Sequence, residues 1–236
     1  MWYLVVLLSL SSLVNGVPQV PCYFIFGASL YDNGNNNALL TTARANYPPY
    51  GVDFPGGPTG RFSNGRNTAD IIGFDNYVPP FATASGQDIL KGVNYASGSS
   101  GIHVICIIAM LGTNGSLCVD FVNQAIQLFN ARLIPLVDEL NKNQDAKFIY
   151  LNSYQITMTP TTGFRVTNTP CCEVGGNNTL LLCIPFRIPC QNRTDYMYWD
   201  AVHPTEAANV MVAGRSYNAR VPSDTYPIDI RRLAQL

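Results

Sequence analysis

With 236 residues, the chain can build one domain with a substantial core but not two comfortable ones. Only 12% of its residues are charged and its net charge is -1. This excludes a nucleic-acid partner, because a phosphate backbone calls for a clustered basic surface.

The chain opens on "MWYLVVLLSLSSLVNG", an apolar run closing on small residues. It is too short for a stable membrane span, and no Lys or Arg follows to stop transfer. It reads as a secretory signal peptide over residues 1–16, with 17–236 left as a single domain. A buried first strand is the rival reading. The next run, "CYFIFG" (22–27), predicts a buried strand that stops at a glycine. Ser29 follows two residues later, ahead of the loop "LYDNGNNN". A serine at the C-terminal end of a strand is a common way to expose a nucleophile.

After the Gly- and Pro-rich stretch "GVDFPGGPTGRFSNG", "NTADIIGF" (67–74) reads as a short helix. "IHVICIIAML" (102–111) predicts a second buried strand from its length and β-branched content. From 119 to 140 the apolar positions Val122, Ile126, Phe129, Leu133, Val137 and Leu140 keep helical spacing. Pro135 falls inside that helix, where it costs about 3 kcal/mol and predicts a kink or break. "AKFIYLN" (146–152) is a third predicted strand. The closing helix reads from "HPTEAANVMVAGRSY", with Pro204 in its first turn.

The seven cysteines suit a secreted protein. Cys171, Cys172, Cys183 and Cys190 crowd into the long excursion 160–195. Disulfides are favoured there over zinc, because no second paired motif lies nearby. The odd total leaves at least one thiol unpaired or bonded between chains. Sequons at Asn114, Asn177 and Asn192 fit the same secretory route.

Strands alternating with helices predict an α/β fold, a parallel sheet covered on both faces with its active crevice beyond the carboxyl ends of the strands. Ser29 lies at such an end. A serine hydroxyl needs a base, and imidazole is the usual one near neutral pH. The chain has two histidines. His103 sits within an apolar strand pattern and reads as structural. His203 stands in "YWDAVHPTE", three residues after Asp200. That spacing lets a carboxylate reach the imidazole nitrogen facing away from the serine.

Several blocks then converge: "FIFGASLYDNGNNN", "YPPYGVDFPGGPTGRFSNGR", "GVNYASGSSGI", "CQNRTDYMYWDAVHPTEAANV" and "YPIDIRRLAQL". In this order they resemble the plant GDSL esterases/lipases of the SGNH hydrolase superfamily. The resemblance implies a three-layer α/β/α flavodoxin-like fold and a secreted ester hydrolase needing no metal or organic cofactor. Its substrates would be small-molecule or lipid esters. Position by position, it makes Ser29 the nucleophile, Asp200 the orienting acid and His203 the base. Ser29 and Gly98 would supply backbone N–H groups to the oxyanion hole.

Two departures stand out. The name-giving Gly-Asp-Ser-Leu reads "GASL", with Ala28 in place of the aspartate. The family's stretch with the Gly-x-Asn-Asp block, whose asparagine is a further oxyanion donor, has no counterpart after "SGSSGI", so the fold is expected to be incomplete. "GTNG" (112–115) is a poor substitute, since Asn114 heads a sequon. Reduced activity is one expectation; an inactive secreted homologue with a binding or structural role is the other.

Overall fold

A computed structural model of the protein describes residues 19–73, 76–100, 120–143, 146–159, 163–175 and 181–236. The signal-peptide expectation, the predicted strand at 102–111, His103, Asn114, "GTNG" and Asn177 lie outside these residues. Helices α1 (Thr68–Ile72), α2 (Asp120–Leu140), α3 (Ser153–Met158), α4 (Glu206–Tyr217) and α5 (Ile230–Leu233) are joined by a small antiparallel sheet. Its strands are β1 (Tyr150–Leu151) and β2 (Thr225–Tyr226).

Parallel pairing is present as isolated bridges. Ile25 N donates to Val93 O (3.1 Å), Tyr95 N to Ile25 O (2.7 Å) and Ser97 N to Gly27 O (3.1 Å). On its other side Asn94 pairs with Pro80, also in parallel. The run 22–27 is therefore extended and ends where expected. It is not buried throughout: Ile25 is 6% exposed, but its neighbours Phe24 and Phe26 are 43% and 74% exposed. Only one face of this segment is covered. On the open side Phe26 stacks on Tyr95 at 5.0 Å, and Phe81 lies 5.0 Å from the same ring.

The predicted helix at 67–74 forms as α1. Asn67 caps it by accepting from Asp70 N, while the Asp70 carboxylate accepts from Asn67 N, closing a capping box. The helix predicted over 119–140 forms as α2 and runs unbroken through Pro135. Pro135 is exposed, and the helix continues past it although its ring removes one backbone hydrogen bond. Along α2, Val137 is buried, but Leu128, Phe129, Ile134, Leu136 and Leu140 are exposed.

The predicted strand at 146–152 shrinks to two residues and pairs antiparallel, Tyr150 with Tyr226 and Leu151 with Thr225. Asn152 ends it by capping α3 through Gln155 N. The closing helix begins later than predicted. Thr205 is its N-cap, accepting from Ala208 N, so Pro204 precedes the cap instead of occupying the first turn.

Among the described residues two buried clusters hold these pieces. Ile25, Ala69, Val78 and Ala96 pack beneath α1. Ala45, Tyr50, Phe62, Trp199 and the cysteines Cys171, Cys172 and Cys183 form the other. The predicted disulfides are present as Cys171–Cys190 and Cys172–Cys183, and among the described residues Cys22 is a free thiol. An apolar cleft of about 930 Å³ opens beside residues 22–26, bordered by Ile71, Ile72, Tyr217, Ile230 and Leu233.

Candidate active site

Ser29 sits in a turn just past the last parallel bond. Tyr31 N donates to Ala28 O (3.1 Å) and Asp32 N to Ser29 O (3.3 Å). These are backbone bonds, so the turn closes without the side chain that Ala28 lacks. Asp32 is fully buried and accepts from Gly34 N and Asn35 N, both at 2.7 Å, and from Gly98 N at 2.8 Å. Burial raises its pKa, and those N–H donors pull it back.

The asparagines that follow stitch this loop to distant backbone. Asn35 Nδ2 donates to Asn94 O and Ala96 O, and Asn36 Nδ2 to Ala43 O and Gly98 O. Asn33 Nδ2 reaches Val78 O (3.0 Å), and Asn67 Nδ2 donates to Asn33 Oδ1 (2.6 Å). Arg61 grips Asp70 with two bonds, 2.7 and 2.8 Å, and fixes α1 against the loop. The serine is thus carried on a scaffold of side-chain amides.

His203 closes on it from the other end of the chain. Ser29 Oγ lies 2.8 Å from His203 Nε2, and His203 Nδ1 lies 2.7 and 2.9 Å from the two oxygens of Asp200. A carboxylate only accepts, so Nδ1 carries the proton and Nε2 is left to accept from the serine hydroxyl. Val202 N and His203 N both donate to Asp200 Oδ1 at 2.7 Å. The three-residue spacing achieves this because the chain folds back at once, with Trp199 N donating to His203 O (2.7 Å). Phe62 covers the imidazole at 4.8 Å between ring centres. Asp200 is fully buried, and Ser29 and His203 are 9% and 3% exposed.

Asp200 has one more partner. Tyr50 O–H donates to Oδ2 at 2.6 Å and itself accepts from Cys183 N at 3.1 Å. Tyr47 O–H donates to the carbonyl of the same Cys183 (3.1 Å). Burial and the Asp200 carboxylate push the Tyr50 pKa well above its ordinary value, and the same two causes, in that order, push Tyr47 up to about 12.

Gly98 lies close by, and a side chain there would crowd its neighbours. A Cβ would fall 2.7 Å from Asn36 Nδ2 and 2.9 Å from Phe62 Cζ. Its N–H, however, is donated to Asp32. The adjoining Ser99 has φ 66°, a left-handed conformation rare for residues other than glycine. Asn192 is exposed, and its Oδ1 accepts from Thr194 Oγ1 (2.8 Å). Among the described residues no three His, Cys, Asp or Glu side chains cluster as metal ligands, and no helix is long and apolar enough to cross a membrane.

The comparison with known proteins joins this geometry to a family. The model for GDSL-like lipases/acylhydrolases matches residues 99–215. A GDSL esterase/lipase of Arabidopsis thaliana is 39% identical over 336 aligned positions, covering 92% of this chain and 92% of its own. The chain belongs to the GDSL esterase/lipase family. Two further GDSL esterases/lipases of the same plant are 38% and 36% identical, covering 98% and 99% of this chain and 96% and 97% of their own. The family implies an α/β fold and hydrolase chemistry. The first alignment spans 336 positions against 236 residues here, so it crosses positions of the relative where this GDSL chain has none.

Proposed function

We propose that the protein is a secreted GDSL-type serine ester hydrolase acting on carboxylic esters through Ser29, His203 and Asp200. The observation carrying the reading is the 2.8 Å approach of Ser29 Oγ to His203 Nε2, with Asp200 2.7 Å behind the ring. His203 accepts the Ser29 proton as Oγ attacks the ester carbonyl carbon, and Asp200 stabilises the imidazolium. The imidazolium returns that proton to the departing alcohol, which leaves an acyl group on Ser29. His203 then takes a proton from water, the hydroxide attacks the acyl carbon, and as the carboxylic acid departs the imidazolium passes that proton to Ser29 Oγ, which restores both groups.

The weak point is the oxyanion hole. The Ser29 N–H is one proposed donor. Gly98 N–H is the other, and it must turn from Asp32 to serve. Losing one such donor costs about 10²–10³ in kcat, so the proposed activity is reduced.

The three-layer α/β/α arrangement belongs to the same reading, supported by the parallel bonds at residues 23–27 and 91–97. Secretion is supported by the apolar run at residues 1–16 and the two disulfides, with Asn114, Asn177 and Asn192 as proposed glycan acceptors. The second reading, an inactive homologue with a binding or structural role, is favoured by the engaged Gly98 N–H.

Hydrolysis of a short p-nitrophenyl ester by the protein and by Ser29→Ala separates the two. Turnover lost with the serine supports the hydrolase; equal rates in two folded proteins support the inactive homologue.

A further inference from the structure

Both oxygens of Asp200 are engaged, and one of their donors lies outside both the triad and its local turn. Oδ1 accepts from the N–H groups of Val202 and His203, which the local turn supplies. Oδ2 accepts from His203 Nδ1 and from Tyr50, a residue 150 positions away in the chain. A phenol has a single proton. Because Cys183 N–H donates to the Tyr50 oxygen, that oxygen's own proton is left for Asp200.

The aim of this bond is set from outside the triad. Tyr50 is 1% exposed and wedged between Tyr47 and Phe62, both edge-on at 5.3 and 6.1 Å. Cys183 is fixed by its disulfide to Cys172. The disulfide loop 171–190 is therefore connected through one hydroxyl to the carboxylate that orients the base.

We propose that Tyr50 is a positioning residue for the ester-hydrolase reaction, holding Asp200, and through it the His203 ring, in line with Ser29. The proposal rests on the reading of Ser29, His203 and Asp200 as a triad. Without the phenol the buried carboxylate keeps its local N–H donors but loses its one anchor to the disulfide loop, and the imidazole loses its fixed direction. Small misplacements of this kind lower rates without changing substrate binding.

The test compares Tyr50→Phe with Tyr47→Phe. Both variants lose a hydroxyl bonded to Cys183, but only the first touches Asp200. A fluorophosphonate reports on the serine directly: Oγ bonds phosphorus, fluoride leaves, and the serine proton passes to His203. Tyr50→Phe is expected to lower both the labelling rate and kcat on a p-nitrophenyl ester about tenfold, with KM unchanged. Tyr47→Phe is expected to stay within about twofold of the parent. In an Asp200→Asn background the Tyr50 change should cost nothing further.

Equal slowing in both tyrosine variants, a parent-like rate in Tyr50→Phe, or a further tenfold loss in the Asp200→Asn background would each overturn the proposal. A folded parent protein that takes no label on Ser29 would instead overturn the triad reading beneath it, before any variant is compared.

Discussion

The loops around Ser29 and the outward side of the molecule are built in opposite ways. Around the triad nearly every polar side chain is buried and bonded: Asp32, Asn33, Asn36, Asp200 and His203 are all under 4% exposed. Away from it, α2 presents Leu128, Phe129, Ile134, Leu136 and Leu140 at 38% exposure or more. The run 22–26 borders an apolar cleft of about 930 Å³. Apolar burial is non-directional and needs opposing surface. Side-chain amides and disulfides fix geometry locally. The site is thus held by bonds that run from loop to loop, with a small share of its order owed to the sheet.

The largest way to break this contrast is at the base. His203→Ala should lower ester hydrolysis by about 10³-fold or more while the protein stays folded, as steady-state kinetics beside circular dichroism would show. A second break lies at the buried pair of Arg215 with Asp224, where Arg215 also donates to Ile156 O (3.1 Å) and so joins α4 to α3. Arg215→Ala leaves the Asp224 charge buried without its counter-charge, and should cost about 4 kcal/mol in urea unfolding.

The same pair carries a pH signature. Burial opposes the Asp224 carboxylate, but Arg215 and the N–H groups of Arg220 and Val221 outweigh it and lower its pKa. A lowered carboxylate pKa contributes stability that is present above the unfolded-state value. That stability is lost as pH falls through the folded-state value. Acid unfolding of the parent should therefore show a loss that Asp224→Asn no longer shows.

A smaller effect is expected at the disulfide loop. Replacing Cys172 and Cys183 with Ser should cost about 3 kcal/mol for a loop of this length, read as a lower midpoint in denaturant. The smallest effect sharpens the contrast from the other side: Phe129→Ser on α2 should change stability by less than about 0.5 kcal/mol, since that side chain is 56% exposed.

What was legible in the sequence was local. Asp200 and His203 are three residues apart, and Ser29 follows a strand-like run, so each half of the triad could be read from its own neighbourhood. The run "NTADIIGF" read as the short helix that forms as α1, although its cap at Asn67 was seen only in the structure. Tyr50 could not be read this way, because nothing near it in sequence points to a carboxylate 150 positions on. The cysteine pairing was open for the same reason. The "DNGNNN" run read as loop composition, whereas the side-chain amides of Asn35 and Asn36 donate to backbone carbonyls across the site and Asn33 Oδ1 accepts from Asn67. Gly98 was identified by resemblance, but its N–H is committed to Asp32, a bond that no motif encodes. The run at 146–152 had strand composition, but its pairing partner lies at 225–226, beyond any local signal.

The most direct test of the account is to incubate the folded protein with a fluorophosphonate and map the adduct by peptide mass spectrometry. The account predicts one adduct, on the peptide containing Ser29, that disappears in His203→Ala. A folded protein with no adduct, or an adduct unaffected by the loss of His203, would contradict it.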